Sequence, residues 1–266
     1  MALDRRIYYE DSLLMEEKTV MITGGTSGIG LAAAMRFVAK GHRVALLGRD
    51  AHRGTDALKI IMEKNNGANC SFFPCDVRKT EDCRAAVQQT VTLYGTVDVL
   101  VNSAGVYFER ALEDMTEADF DYIMDTNLKG TYFMTQQAAA EMKKQGAGAI
   151  VNVSSDAGLH GNMLCSAYCA SKGAVNLFTR AMALELAPWN IRVNSVCPGD
   201  VLTPLTEQQL AQYPDREAAL REMSSIYPMG RIATPEEVAG VIEFLCSGEA
   251  AFVNGAIWSV DGGITA

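Results

Sequence analysis

Tyr168 and Lys172 stand four residues apart at the head of Tyr168–Leu186, a segment of helical composition. Residues at that spacing share one helix face. A phenol with an ordinary pKa of about 10 handles protons poorly at neutral pH unless a cation favours its phenolate, and an ammonium one turn away is such a cation. Alone, the pair is weak, because Tyr-x-x-x-Lys falls by chance on many helices as a plain surface pair. A second feature is the small-residue turn Thr23-Gly24-Gly25-Thr26-Ser27-Gly28-Ile29-Gly30, where a backbone without bulky side chains can approach a pyrophosphate at the positive end of a helix. Its spacing, Gly24-x3-Gly28-x-Gly30, departs from the commoner G-x-G-x-x-G. About twenty residues further on, where a dinucleotide site selects its cofactor, stands Gly48-Arg49-Asp50. An acid there would accept the ribose diol, whereas glycine followed by arginine leaves room and a guanidinium for a 2′-phosphate. That favours NADP(H), with NAD(H) as the alternative. Asp50 complicates the choice, Ser27 occupies a place where a second basic residue would strengthen it, and Arg49 could equally be a solvated surface charge.

The elements that would position these groups alternate. Val20–Ile22, Val44–Leu47, Ser71–Cys75, Val97–Asn102, Ala149–Val153, Arg192–Val196 and Ile257–Val260 have strand length and few charges, as parallel strands covered on both faces should. Between them Gly28–Lys40, Ala51–Asn65, Thr80–Tyr94, Thr116–Lys144, Tyr168–Leu186 and Pro235–Cys246 have the length and Ala/Leu/Glu content of helices. This order predicts an α/β fold, a doubly wound, Rossmann-type, seven-stranded parallel sheet with helices on both faces, in a single domain over 18–266. Ligands of such sheets bind beyond the C-terminal strand ends, where Asp76, Asn102-Ser103-Ala104-Gly105 and Ser154-Ser155 all fall.

The series of motifs resembles the short-chain dehydrogenase/reductase family, in its branch of about 250 residues. It runs in order through T-G-G-T-S-G-I-G at Thr23–Gly30, C-D-V at Cys75–Val77, N-S-A-G at Asn102–Gly105, N-L-K-G at Asn127–Gly130, V-N-V-S-S at Val151–Ser155, Y-C-A-S-K at Tyr168–Lys172, C-P-G-D-V-L-T at Cys197–Thr203 and V-D-G-G at Val260–Gly263. The resemblance implies an NAD(P)-dependent alcohol dehydrogenase or carbonyl reductase. In it Tyr168 is the general acid or base, Ser155 polarises the substrate oxygen, and Ser154 is structural. Lys172 holds the nicotinamide ribose and lowers the Tyr168 pKa, and Asn127 positions a proton-relaying water. It further implies cofactor contacts at Gly24, Thr26, Ser27, Gly28, Ile29 and Gly30 around the pyrophosphate, with Arg49 at the selecting position. Asp76 and Val77 fall at the adenine, Asn102, Ala104 and Gly105 along the ribose, and Pro198, Gly199, Val201 and Thr203 near the carboxamide. Ser103 replaces a second Asn that is commoner in the family. No metal enters this chemistry.

By the same resemblance the substrate is bounded by Tyr107 and Phe108, by Leu159, His160, Met163 and Leu164, and by a variable lid of one or two helices at about 204–229. Their aromatic and thioether content favours a bulky or alicyclic ketone, hydroxysteroid- or bile-acid-like, or a 3-oxoacyl thioester. A sugar or polyol substrate is the alternative within the family, and Asp200, near the pocket mouth, would suit a hydroxylated one. A regulator that senses dinucleotides without turnover is the alternative outside it. Family members usually associate, so a homo-oligomer, tetramer or dimer, is implied.

Bulk properties agree. A formal charge of −9 without any Lys/Arg-rich run argues against a nucleic-acid binder. Apolar residues at 48% and charged residues at 21% fit a globular domain, and no apolar stretch is long enough for a membrane span. Seven cysteines, an odd number without metal-ligand spacing, read as reduced thiols, and with no signal-like apolar run in residues 1–17 the expected location is cytoplasmic. Residues 1–17 read as an N-terminal extension.

Overall fold

A computed structural model describes residues 17–266. The predicted extension lies outside the described residues except for Glu17. Seven parallel strands form one sheet: β1 (Thr19–Thr23), β2 (Arg43–Gly48), β3 (Cys70–Pro74), β4 (Val99–Asn102), β5 (Gly148–Val153), β6 (Ile191–Pro198) and β7 (Ile257–Val260), in the order β3-β2-β1-β4-β5-β6-β7. The chain winds outward from β1 to β3, then returns to the far side of β1 at β4. A crevice opens between the β1 and β4 ends at that reversal. Every residue of β1 and β4 is buried, which is why Val20–Ile22 and Val99–Val101 at their centres are continuously apolar rather than alternating.

Helices α1 (Gly28–Ala39), α2 (Ala51–Lys64) and α9 (Pro235–Cys246) cover one face, and α3 (Thr80–Tyr94), α5 (Gly130–Gln145) and α6 (Ser166–Leu186) the other. Small residues set how close α1 comes: Ala32, Ala33 and Ala34 are buried in the same core as Val238, Ile242 and Leu245 of α9. A capping box, Thr234 with Glu237, fixes the start of α9.

The segment predicted as one helix, Thr116–Lys144, is interrupted. Helix α4 (Glu117–Met124) passes into a π-turn at Asp125–Lys129 before α5, and the Gly130 N–H bonds the Asp125 carbonyl five residues back. A periodicity of 3.6 residues cannot reveal one inserted residue, whereas packing demands it here. Gly130 rests on Val77, where a Cβ would come within 2.7 Å of the Val77 side chain, and the turn puts Thr126 and Asn127 inside the protein. The lid region folds as two helices, α7 (Pro204–Leu210) and α8 (Arg216–Ser225), joined by an Arg216–Glu207 ion pair.

Candidate active site

Strand β5 ends at Val153, and the next two residues have different duties. The Ser154 hydroxyl donates to the Lys172 carbonyl at 3.0 Å and so pins α6 to the strand end, a structural role. Ser155 caps the short 3₁₀ turn Asp156–Gly158 through the Ala157 N–H and lines a cavity of about 470 Å³. Gly158 lets α6 rest directly on this turn, since a Cβ there would sit 2.9 Å from the Lys172 carbonyl. The first turns of α6 thereby bring Tyr168 and Lys172 to the wall that carries Ser155. The Tyr107 ring meets Tyr168 edge-on, with centroids 4.9 Å apart.

Lys172 is 5% exposed and donates to the Val153 carbonyl at 2.9 Å, with its Nζ 5.7 Å from the Tyr168 ring centroid. Burial pulls its ammonium down to about 8. Burial also pushes the Tyr168 phenol above its ordinary value, while the nearby Ser155 hydroxyl pulls the other way and Asp156 adds to the rise. The surroundings of the pair therefore favour the neutral form of each. For Tyr168 that is the form able to give up a proton.

Asn127 lies behind this wall. Its side chain clamps the Val106 backbone, accepting from the N–H at 2.8 Å and donating to the carbonyl at 3.0 Å, and it also donates to Ser171, whose hydroxyl bonds the Tyr168 carbonyl. The Asn127 carbonyl accepts from Thr131 Oγ1. Gly105 occupies the gap between these groups: a Cβ there would be 3.4 Å from Asn127 Oδ1 and 3.6 Å from Lys172 Nζ.

Beside the cavity, and sharing Ile29, Gly105, Val153 and Thr203 with it, runs a crevice of about 290 Å³. Gly24, Thr26, Ser27, Gly28, Arg49, Asp76, Val77 and Ala104 line this crevice, whereas Pro198, Gly199 and Val201 line the cavity. Gly30 and Asn102 line neither. Gly30 lies beneath the turn, where a Cβ would collide with the Gly24 carbonyl. The Asn102 amide donates to Asn152 Oδ1 at 2.9 Å and Thr135 Oγ1 at 3.0 Å, tying β4 to β5 and α5. Both act by positioning.

The crevice fits a dinucleotide on the chain's own terms. Ser27 is the N-cap of α1 but makes no side-chain cap, so the positive N-terminus of the helix faces the crevice without a capping hydroxyl. Gly24, at φ +64°, approaches the Ala104 backbone so closely that a Cβ would lie 2.9 Å from its Cα. Thr126 Oγ1 is buried in the crevice wall with no hydrogen-bond partner among the described residues, a polar atom that a ligand would satisfy. Arg49 faces the crevice, while the Asp50 carboxylate is committed to capping α2, accepting from His52 N–H and Arg53 N–H. Asp76 is also committed: the Arg78 guanidinium grips it, with Nε 2.9 Å from Oδ1, and holds its carboxyl below the usual range. Any adenine contact at Asp76 would meet a paired carboxylate.

Gly30→Ala is expected to destabilise the protein by about 1–3 kcal/mol, because the Cβ has only backbone to displace, and to weaken binding of a dinucleotide in the crevice. Gly161→Ala, in open space, should leave the melting temperature unchanged. Thermal melts and a titration with each reduced nicotinamide dinucleotide check both.

On the substrate side Tyr107, His160 and Met163 line the cavity as anticipated, joined by Leu205, Gln209, Ile226 and Tyr227 from the α7–α8 region. Phe108, Leu159 and Leu164 do not. Asp200 faces the cavity, and so do Glu109 and Asp156, to which the sequence carried no pointer. Asp156 could have been noticed only as the neighbour of Ser155, and it accepts the Ser155 hydroxyl hydrogen at 2.8 Å.

A family model described as enoyl-(acyl carrier protein) reductase matches residues 24–265. An uncharacterized oxidoreductase of Thermotoga maritima is 39% identical over 249 residues, covering 94% of this chain and 98% of that protein. Cyclopentanol dehydrogenase of Comamonas testosteroni is 38% identical over 252 residues, covering 95% and 98%. Among solved structures, a variant of actinorhodin polyketide ketoreductase with NADPH superposes with a TM-score of 0.89 at 36% identity, covering 93% of this chain and 97% of that one. With the glycine turn, the parallel sheet order and the Ser155–Tyr168–Lys172 wall in place, the chain belongs to the short-chain dehydrogenase/reductase family of oxidoreductases.

Proposed function

We propose that the protein interconverts a ketone and a secondary alcohol by hydride transfer, with NADP(H) as the favoured cofactor and NAD(H) as the alternative. The observation that carries this reading is the convergence of Ser155, Tyr168 and Lys172 on a cavity that shares its inner wall with the glycine-turn crevice. When bound there, the nicotinamide supplies or takes the hydride. Ser155, once turned from Asp156, donates to the substrate oxygen as charge develops on it. Tyr168 gives its proton to that oxygen in reduction and takes it back in oxidation. Lys172 faces the Tyr168 ring and steadies the phenolate left behind. Asn127, by gripping Val106 and Ser171, holds the floor on which these groups are arranged.

The cavity volume and its Tyr107, Met163, Leu205, Ile226 and Tyr227 walls suit a compact alicyclic ketone, and a relative is named for cyclopentanol. Seven free thiols support work in a reducing cytoplasm. Among the described residues no helix is long and apolar enough to cross a membrane. Exposed Tyr132, Leu177 and Leu184 on α5 and α6 support a homo-oligomer through these helices. An absorbance screen of NADPH and NADH against cyclic ketones, sugars and thioesters tests the reading, and turnover of none of them defeats it.

Arg49→Ala should raise the KM for NADPH about tenfold to a hundredfold, the worth of a charged phosphate contact, while the KM for NADH changes little. Equal losses with both cofactors would remove Arg49 from cofactor choice.

A further inference from the structure

The cavity carries a charge pattern that neither a hydride transfer nor an apolar ketone requires. Three adjacent strands each deliver one carboxylate to it: Glu109 from the loop after β4, Asp156 from the turn after β5 and Asp200 from the loop after β6. Among the described residues no arginine lines the cavity, and the lining side chains able to carry positive charge, Lys172 and His160, are both committed: Lys172 to the Val153 carbonyl, and His160 to Asp156, its Nε2 3.5 Å from Oδ2. The neighbouring Arg110 is paired with Asp119 instead.

Two of the carboxylates act on the third. Burial raises the Asp200 carboxyl above its ordinary value, the Tyr227 hydroxyl pulls it partly back, and the charges of Asp156 and Glu109 add to the rise. Two phenols stand among them: the Tyr107 hydroxyl donates to Glu109 Oε1 at 2.7 Å, and the Tyr227 hydroxyl accepts from the Asp200 N–H at 2.7 Å. Carboxylates interleaved with aromatic rings, with Glu109 exposed and Asp156 buried, are surroundings that stabilise an ammonium group, through opposite charge and through the negative ring faces. A neutral diol could satisfy the hydrogen bonds but would leave Asp200 under the charges of Asp156 and Glu109, and a substrate bearing a carboxylate or phosphate would add to them.

Resting on the ketone–alcohol reading above, we infer that the substrate carries a positive charge: an amino ketone or amino alcohol whose ammonium group lies against Glu109, Asp200 and Asp156 while its oxygen meets Ser155 and Tyr168. Glu109 and Asp200 then determine specificity. Asp156 shares the charge but also holds Ser155, so its replacement would confound binding with chemistry.

Two ketones of equal shape separate the charge from everything else: the quaternary dimethyl-oxopiperidinium cation and its carbon isostere dimethylcyclohexanone, with oxocyclohexanecarboxylate as the anionic control. The wild-type protein is expected to favour the cation over the isostere at least tenfold in kcat/KM and to leave the anion unreduced. In the Glu109→Gln, Asp200→Asn double variant that ratio should fall at least fivefold. Because an oxopiperidinium carbonyl is intrinsically more reactive, the fall between proteins, not the wild-type ratio alone, decides. A ratio unchanged in the double variant, or a wild-type preference for the neutral or anionic ketone, overturns the inference. Calorimetry with dimethylpiperidinium, which has no carbonyl, keeps the two readings apart. Saturable binding that is lost in the double variant supports the cation site even if no ketone is turned over. Absence of binding to the wild-type protein counts against the site even if neutral ketones are reduced.

Discussion

Replacing Tyr168 by Phe is expected to lower kcat/KM for ketone reduction about a thousandfold, within the range by which a positioned general acid accelerates proton transfer. The substitution removes one hydroxyl and leaves the ring that Tyr107 packs against edge-on, so the fold and the affinity for NADPH should be preserved. That preservation makes the measurement decisive. If steady-state rates fall by that factor while a fluorescence titration still gives a wild-type dissociation constant for NADPH, the loss lies in the chemistry. Reduction within tenfold of wild type would transfer the proton donor to another group and break the proposed mechanism. A protein that only sensed dinucleotides would keep its binding and have no rate to lose.

Lys172→Met should show opposite effects on activity and stability. The ammonium faces the phenol, so its loss is expected to reduce turnover by about a hundredfold or more. Stability should increase. Lysine's ordinary 10.5 is depressed to about 8 in the fold, so between those values the unfolded chain holds a proton that the folded chain does not. Stability therefore rises with pH across that window, and below about pH 8 the fold bears the full cost of the buried charge. At about 1.4 kcal/mol per unit that cost is of order 3 kcal/mol, partly returned in the variant by the Val153 carbonyl losing its donor. A net gain of about 1–2 kcal/mol corresponds to roughly 2–8 °C at this size. Melts from pH 7 to 10 check the sign: the advantage of the variant should shrink as the wild-type lysine loses its proton. A lower melting temperature at pH 7 would mean that Lys172 is a structural donor first.

Much of this protein is written locally in its chain. Strand runs such as Val44–Leu47 and Ala149–Val153 were legible because a parallel strand buried on both faces needs mostly apolar residues and no charges. The doubly wound sheet followed from their alternation with helices. The spacing of Tyr168 and Lys172 and the smallness of Gly24, Gly28 and Gly30 are likewise local facts, because a helix repeat and a tight turn are decided by residues close in sequence. What lay beyond the sequence was anything set by contacts between distant segments. The π-turn that buries Asn127 exists because Gly130 must settle on Val77, some fifty residues earlier. The tie of Asn102 to Asn152 and Thr135, and of Ser154 to the Lys172 carbonyl, likewise joins segments far apart in the chain.

The Tyr168–Lys172 pair shows the division most plainly. Its spacing was readable, but its electrostatics were not, because burial among β5, α6 and the loop after β4 opposes the charge on both groups. The acids around it complete the point. Glu109, Asp156 and Asp200 are scattered over about ninety residues and gave almost no signal there, yet each follows one of three neighbouring strands. The sequence determined that this chain builds a parallel sheet with a nicotinamide-type crevice and a proton-handling pair. Only the tertiary structure, by bringing three strand ends side by side, decided that the substrate cavity is lined with carboxylates.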